Sequence, residues 1–196
     1  MNAQLIYVVG PSGAGKDSLL HWLRAHLPAH LPLTWARRTI DRPCAPQGEV
    51  HESVNKSEFD LLLAQHEFAL HWAANAHQYG IRHTELAPLA EQQWVFLNGS
   101  RAHLPQAAQL YPGLTVLHIT ADFAVLRKRL QERGRESSAA IENRLGRTLN
   151  LSVPAGCRWI EVHNNESIEG SGAQLLKSLS SLAHWPQPLT GSGNPS

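Results

Sequence analysis

The chain has only two cysteines, Cys44 and Cys157, in 196 residues. That is too few for a disulfide framework and suits a reducing, cytoplasmic setting. No apolar run approaches the roughly 20 residues that a membrane helix requires. Charge of one sign is also lacking: 17 Lys and Arg face 16 Asp and Glu. A near-neutral balance argues against a general nucleic-acid or membrane surface as partner. The first residues, Met1-Asn2-Ala3-Gln4, carry no basic, apolar, small-residue leader pattern and run straight into an apolar strand. Twelve histidines are present, but no H-E-x-x-H and no Cys/His set. His26 and His30 are four apart with Pro28 between them, which breaks the helix face a metal pair would need. No structural metal is expected.

What is there begins with Gly10-Pro11-Ser12-Gly13-Ala14-Gly15-Lys16-Asp17-Ser18. It follows the apolar run 5–9 and precedes apolar residues at helical spacing. Strand, glycine-rich loop and helix form the context of a phosphate-binding P-loop. Glycines let the backbone curl so that successive N–H groups face one anion, and the helix dipole adds to it. Lys16 is placed to reach the β- and γ-phosphates of ATP. The usual pattern wants a hydroxyl after the lysine to ligate Mg²⁺. Here Asp17 takes that place, so Asp17 is read as the metal-linked residue and Ser18 as a second candidate ligand.

The length needs only one domain. Runs 33–36, 94–97, 114–119 and 159–162 read as further strands, and 68–73 as a strand continuing to 78–81. Ser57 with Asp60 reads as the start of one helix and Thr84 as the cap of another. Asp122 opens a helix running to Arg133, stopped by Gly134; a second helix follows to Leu149; a last amphipathic one carries Leu175, Leu176, Leu179 and Leu182. Alternating strands and helices predict a three-layer α/β fold with a mainly parallel sheet. The domain is placed at residues 1–185, with an inserted acceptor-binding subdomain at about 36–82 and a helical lid at about 133–147. From Pro186 to Ser196 the Pro/Gly/Ser composition predicts a disordered tail.

Arginine is clustered. Arg37, Arg38 and Arg42 lie on the insertion; Arg127, Arg129, Arg133, Arg135, Arg144 and Arg147 lie on the helices after residue 122. Guanidinium forks grip phosphate bidentately. A P-loop with two arginine groups fits a kinase acting on a phosphorylated substrate: one group holds the acceptor, the other closes over the transferring phosphoryl group. Arg38 and Arg42 are the acceptor candidates and Arg133, Arg135 and Arg144 the lid candidates. Arg127, Arg129 and Arg147 read as ordinary solvated residues. Ser100 and Arg101 follow a buried strand, at the end where open α/β sheets bind ligands, and are candidates for a sugar or its phosphates.

Along most of its length the chain resembles the guanylate kinase superfamily. The matching pieces are 10–18, 38–42 with Gly48-Glu49, 68–73 with Tyr79-Gly80, 129–134 with Ile141 to Leu145, and 162–165. The resemblance implies acceptor contacts by Arg38, Arg42, Glu49 and Tyr79, and an adenine contact by Asn164. It also marks departures: His71 where the family has a guanine-reading glutamate, His51 for a phosphate-binding tyrosine, and Asn98 for an aspartate. The guanine pocket looks dismantled while the phosphate clamps remain. The segment 98–107, with the Gly-Lys-Asp-Ser loop, is similar to a narrower branch, the ribose 1,5-bisphosphate phosphokinases of phosphonate catabolism. That resemblance implies ATP as donor, Mg²⁺ as cofactor and a phosphorylated sugar as substrate, giving 5-phosphoribosyl 1-diphosphate. A nucleoside monophosphate kinase and a non-catalytic guanylate-kinase-like binding module stay open as alternatives. The oligomeric state, a dimer included, is also open.

Overall fold

A computed structural model describes residues 4–43, 50–132, 134, 141, 142, 145 and 152–186. Five strands form one sheet: β1 (Leu5–Val9), β2 (Leu33–Ala36), β7 (Trp94–Asn98), β8 (Thr115–Thr120) and β9 (Arg158–His163). Their order is β2-β7-β1-β8-β9, and every pairing is parallel. β1 is buried at all five positions, which is why it reads as a continuous apolar run and not an alternating one. The α/β class and the parallel sheet agree with the expectation from sequence.

Alternate residues of the sheet feed two cores. On one face Ile6, Val8, Phe96, Leu117, Ile119 and Val162 pack against α1 (Lys16–His26), α5 (Phe123–Glu132) and α6 (Ile168–Ser180). On the other, Tyr7, Val9, Val95, Leu97 and Val116 pack against α4 (Leu104–Leu110) and a second sheet. That second sheet has the order β4-β3-β6-β5, from β3 (Thr39–Ile40), β4 (Glu52–Ser53), β5 (Phe68–Ala74) and β6 (His77–Arg82). Leu70, Trp72, Tyr79 and Ile81 join the second core from it. The two sheets thus face one another across shared side chains.

Several local expectations need correction. Residues 68–81 are not one strand: β5 and β6 pair antiparallel, and Asn75 and Ala76 at the turn have φ of 49° and 62°. Two successive left-handed residues make the tight turn that matches strand twist. Ser57 is not the cap of α2 (Lys56–Ala64). Asn55 is, accepting from the Glu58 N–H, while the Glu58 carboxylate accepts from the Asn55 N–H at 2.7 Å. The box satisfies two N–H groups at the N-terminal end, with the cap two residues earlier than expected. Thr84 lies inside α3 (His83–Leu86), whose N-cap is Arg82, and a 3₁₀ helix (Ala87–Glu91) continues it. Helix α4 and the two-residue strands β3 and β4 were not foreseen. Leu182 lies just past the end of α6. The lid helix to Leu149 falls largely outside the described residues, as does the tail beyond Pro186.

Candidate active site between the P-loop and the second sheet

The loop after β1 turns into α1 through Gly15, which has φ of 80° and serves as N-cap with no side-chain cap. The first-turn N–H groups of α1 are therefore left for a ligand. Lys16 Nζ donates to the carbonyls of Gly10 (3.0 Å) and Pro11 (3.2 Å), folding the side chain over the loop. Ala14 N–H donates to the Pro11 carbonyl at 3.3 Å. A Cβ on Gly15 would run into the amide nitrogen of Asn164, so a side chain is excluded twice over, by space and by φ. Asn164, 4% exposed, donates from Nδ2 to the Ala14 carbonyl at 2.8 Å. The end of β9 thereby braces the loop.

Beside the loop lies a cavity of about 490 Å³ lined by Gly13, Gly15, Ser18, Arg129, Asn164 and Glu166, among others. A cavity of that size, set against the loop, can take a small-molecule ligand. Arg129 was read as a solvated helix residue, and the structure overturns that. It is half-buried, lines the cavity, and its Nη donates a long hydrogen bond to the Gly13 carbonyl at 3.5 Å. Its flanking position between buried Leu126 and Leu130 was the available signal. Arg127 instead pairs with Glu142 at 2.8 Å on the outer face.

Asp17 and Ser18 are exposed in the first turn of α1. Asp17 Oδ1 accepts from Asn98 Nδ2 at 3.1 Å, and Asn98 is 8% exposed at the end of β7. Ser12 is exposed on the loop.

On the side of the second sheet, four side chains stack. The Arg38 guanidinium lies 5.2 Å from the Tyr79 ring centroid. Tyr79 stacks on Trp72 at 5.6 Å and 3°, and Trp72 on His103 at 5.2 Å and 27°. Arg38 is half-buried, with its guanidinium against the Tyr79 ring. Tyr7 lies beneath. Its hydroxyl is 3.1 Å from both the carbonyl and the N–H of Ser100 and 3.3 Å from His103 Nδ1. Burial pushes the Tyr7 phenol far up, so it stays neutral. Gly99 packs on the Tyr7 ring, where a Cβ would meet the hydroxyl at 2.6 Å.

The remaining predicted residues fall into two groups. His51, 5% exposed, donates from Nε2 to the Arg42 carbonyl at 3.2 Å, and Ser53 Oγ donates to the same oxygen at 2.8 Å. His51 thus positions the turn that carries Arg42. His71 is exposed on the opposite side of β5 from Trp72, and Arg101 is half-buried, with burial lowering its proton affinity. Glu49, Arg133, Arg135 and Arg144 lie outside the described residues. The Tyr7–His103 and Trp72–His103 contacts were missed because they join residues 96 and about 30 positions apart, and sequence spacing carries no sign of them.

A ribose 1,5-bisphosphate phosphokinase of Thiobacillus denitrificans is 40% identical over 177 residues, covering 90% of this chain and 93% of the relative. The chain belongs to the ribose 1,5-bisphosphate phosphokinase family. A member from Laribacter hongkongensis is 46% identical over 187 residues; the match spans 95% of this chain but 44% of that relative's own length. A guanylate kinase from Anaplasma phagocytophilum superposes with a TM-score of 0.55 at 14% identity, covering 90% of this chain and 84% of that one, which shows the shared fold. No protein-family model matches the chain. Membership makes this chain a kinase of the guanylate-kinase-like P-loop fold. No helix among the described residues is long and apolar enough to cross a membrane.

Proposed function

We propose that the protein transfers the γ-phosphoryl group of ATP to the 1-phosphate of ribose 1,5-bisphosphate, giving 5-phosphoribosyl 1-diphosphate and ADP. The observation that carries this is relatedness at 40% identity across 93% of a ribose 1,5-bisphosphate phosphokinase. The P-loop geometry and the half-buried Arg38 and Arg42 support it.

The acceptor oxygen already carries negative charge near neutral pH, so no general base is needed. It attacks the γ-phosphorus in line, and the bond from that phosphorus to the β,γ-bridging oxygen breaks, with its electron pair leaving on ADP. Catalysis then rests on positioning and charge neutralisation. The P-loop amides from Gly10 to Ser18 and Lys16 hold the donor phosphates. The adenosine moiety occupies the cavity beside Asn164 and Arg129. Arg38, Arg42 and Tyr79 bind the acceptor phosphate. The Tyr79 hydroxyl takes no hydrogen-bond partner among the described residues, so it is available to an anion. Ser100 and Arg101 face the sugar side. Glu49 orders the acceptor loop, and Arg133, Arg135 and Arg144 close over the transferring group.

Mg²⁺ suits the donor set in the first turn of α1. Asp17 gives one carboxylate oxygen to Asn98 and keeps the other for a hard cation, and the exposed Ser18 hydroxyl is adjacent. When bound there the ion offsets the negative charge of the polyphosphate. Asp17 without a cation would repel the donor, so residue and metal act together.

The test is ADP release with Mg²⁺-ATP, comparing ribose 1,5-bisphosphate with GMP and other nucleoside monophosphates, with phosphorus NMR on the product. A pyrophosphoryl signal from the sugar with little nucleotide turnover is the expected result. Preferential phosphorylation of GMP would replace the acceptor while leaving the P-loop reading intact.

A further inference from the structure

His103 has one nitrogen fixed and the other free for a ligand. Its ring is 6% exposed, stacked on Trp72, with Nδ1 3.3 Å from the Tyr7 hydroxyl. Nε2 makes no hydrogen bond to a described residue. Yet the buried side-chain polar atoms without a partner among the described residues are Trp22 Nε1, Thr115 Oγ1 and Ser171 Oγ. His103 Nε2 is therefore not fully enclosed, and a ligand can reach it.

The surroundings fix what that nitrogen awaits. The Tyr7 hydroxyl has one proton and two good acceptors near it, the Ser100 carbonyl at 3.1 Å and His103 Nδ1 at 3.3 Å. If the proton serves Ser100, Tyr7 oxygen is left to accept from the Ser100 N–H and from a protonated Nδ1. That arrangement satisfies the Tyr7 hydroxyl, both Ser100 backbone groups and Nδ1, and an imidazolium adds an Nε2–H open to a ligand. The titratable and charged groups around the ring are Tyr7 on β1, His71 on β5 and, beyond Tyr7, Arg38 after β2. Tyr7 is neutral and the other two are cationic or cationisable, and among the described residues no carboxylate acts on the ring. Burial and then His71 lower the His103 pKa in the free protein. The ring is prepared to donate but lacks a counter-charge until an anion arrives.

The position suits a second anion, set back from the reacting one. Tyr7 precedes Gly10 by three residues, roughly 10 Å along an extended strand. Resting on the acceptor proposed above, we propose that His103 binds the non-reacting 5-phosphate of ribose 1,5-bisphosphate through Nε2–H, and that this phosphate binds with proton uptake by His103. His103 would then be a residue that selects a bisphosphate over a monophosphorylated sugar.

Two measurements test it. The first compares wild type and His103→Gln with ribose 1,5-bisphosphate and with ribose 1-phosphate, which lacks the group in question. Expected is a fall of about tenfold or more in kcat/KM for the bisphosphate, mostly in KM, with ribose 1-phosphate changed little. Equal losses on both sugars, or none, would overturn the assignment. The second uses the wild-type protein only, so it survives a variant that fails to fold. Calorimetry of each sugar at about pH 7.5, in buffers of different ionisation heat, counts protons exchanged. Expected is greater uptake with the bisphosphate; the phosphate's own second ionisation works the other way, releasing protons on binding to cations. Equal proton numbers for the two sugars would overturn it. If wild type neither binds nor turns over ribose 1,5-bisphosphate, the acceptor reading itself falls, and this inference falls with it.

Discussion

Asn98 Nδ2 donates to Asp17 Oδ1 at 3.1 Å, tying the last residue of β7 to the first turn of α1. The bond fixes one carboxylate oxygen; in the proposed site the other holds the cation. A neighbour that orients a metal-binding carboxylate typically changes metal affinity by about 10- to 100-fold when removed. Asn98→Ala should therefore raise the Mg²⁺ concentration for half-maximal ADP release by about tenfold. Asp17→Asn should raise it further. Unchanged Mg²⁺ dependence in both variants would remove Asp17 from the metal site.

Lys16→Ala should lower kcat by about 10²-fold or more, because a charge contact to the transferring phosphates is lost in the transition state. The side chain binds carbonyls of its own loop, so the urea midpoint should move little. Near-normal turnover would contradict the P-loop reading.

Asn164→Ala removes the amide that satisfies the Ala14 carbonyl at 2.8 Å in a buried setting. Leaving such a group unpaired costs about 1–3 kcal/mol. Urea unfolding should show that loss, and ATP titration should show weaker binding, because the same amide braces the loop and walls the cavity. Loss of stability with intact ATP affinity would separate the two roles.

The Arg82 guanidinium pairs with both Glu52 oxygens, at 2.7 and 2.8 Å, and this holds the Glu52 carboxyl below its usual range, helped by Thr39. A carboxyl lowered by folding contributes stability that is present above its unfolded pKa and lost as pH falls through the folded one. Wild type should therefore lose more stability between about pH 7 and about pH 3.5 than Glu52→Gln does. Parallel losses, read by urea unfolding at the two pH values, would show that the pair is not coupled to folding.

The P-loop and the buried strands were legible because their signals are local: glycine spacing, apolar runs, a lysine at the helix start. Asn98 could be picked as an acceptor-side position from the strand end that carries it, but its bond to Asp17, 81 residues away, could not. The hairpin at Asn75-Ala76 hid because Ala76 is a costly left-handed residue and gives no turn signal. Arg129 looked like one more charge on a solvated helix until α5 was docked against the loop. The stack Arg38–Tyr79–Trp72–His103 draws on four separate elements, and only the facing of two sheets brings it together.

The strand order also governs when the site can exist. β1 is emitted first, yet its two neighbours are β7 and β8, which begin 89 and 110 residues later. A nascent chain therefore carries its phosphate loop unsupported until past residue 120, while the β5–β6 hairpin can close on itself much sooner. The hairpin that carries Trp72 and Tyr79 can close on the ribosome while Lys16 still follows an unpaired strand and His103 has yet to be made. The stack against Tyr7 is thus completed late, in the same stretch of synthesis that supports the loop.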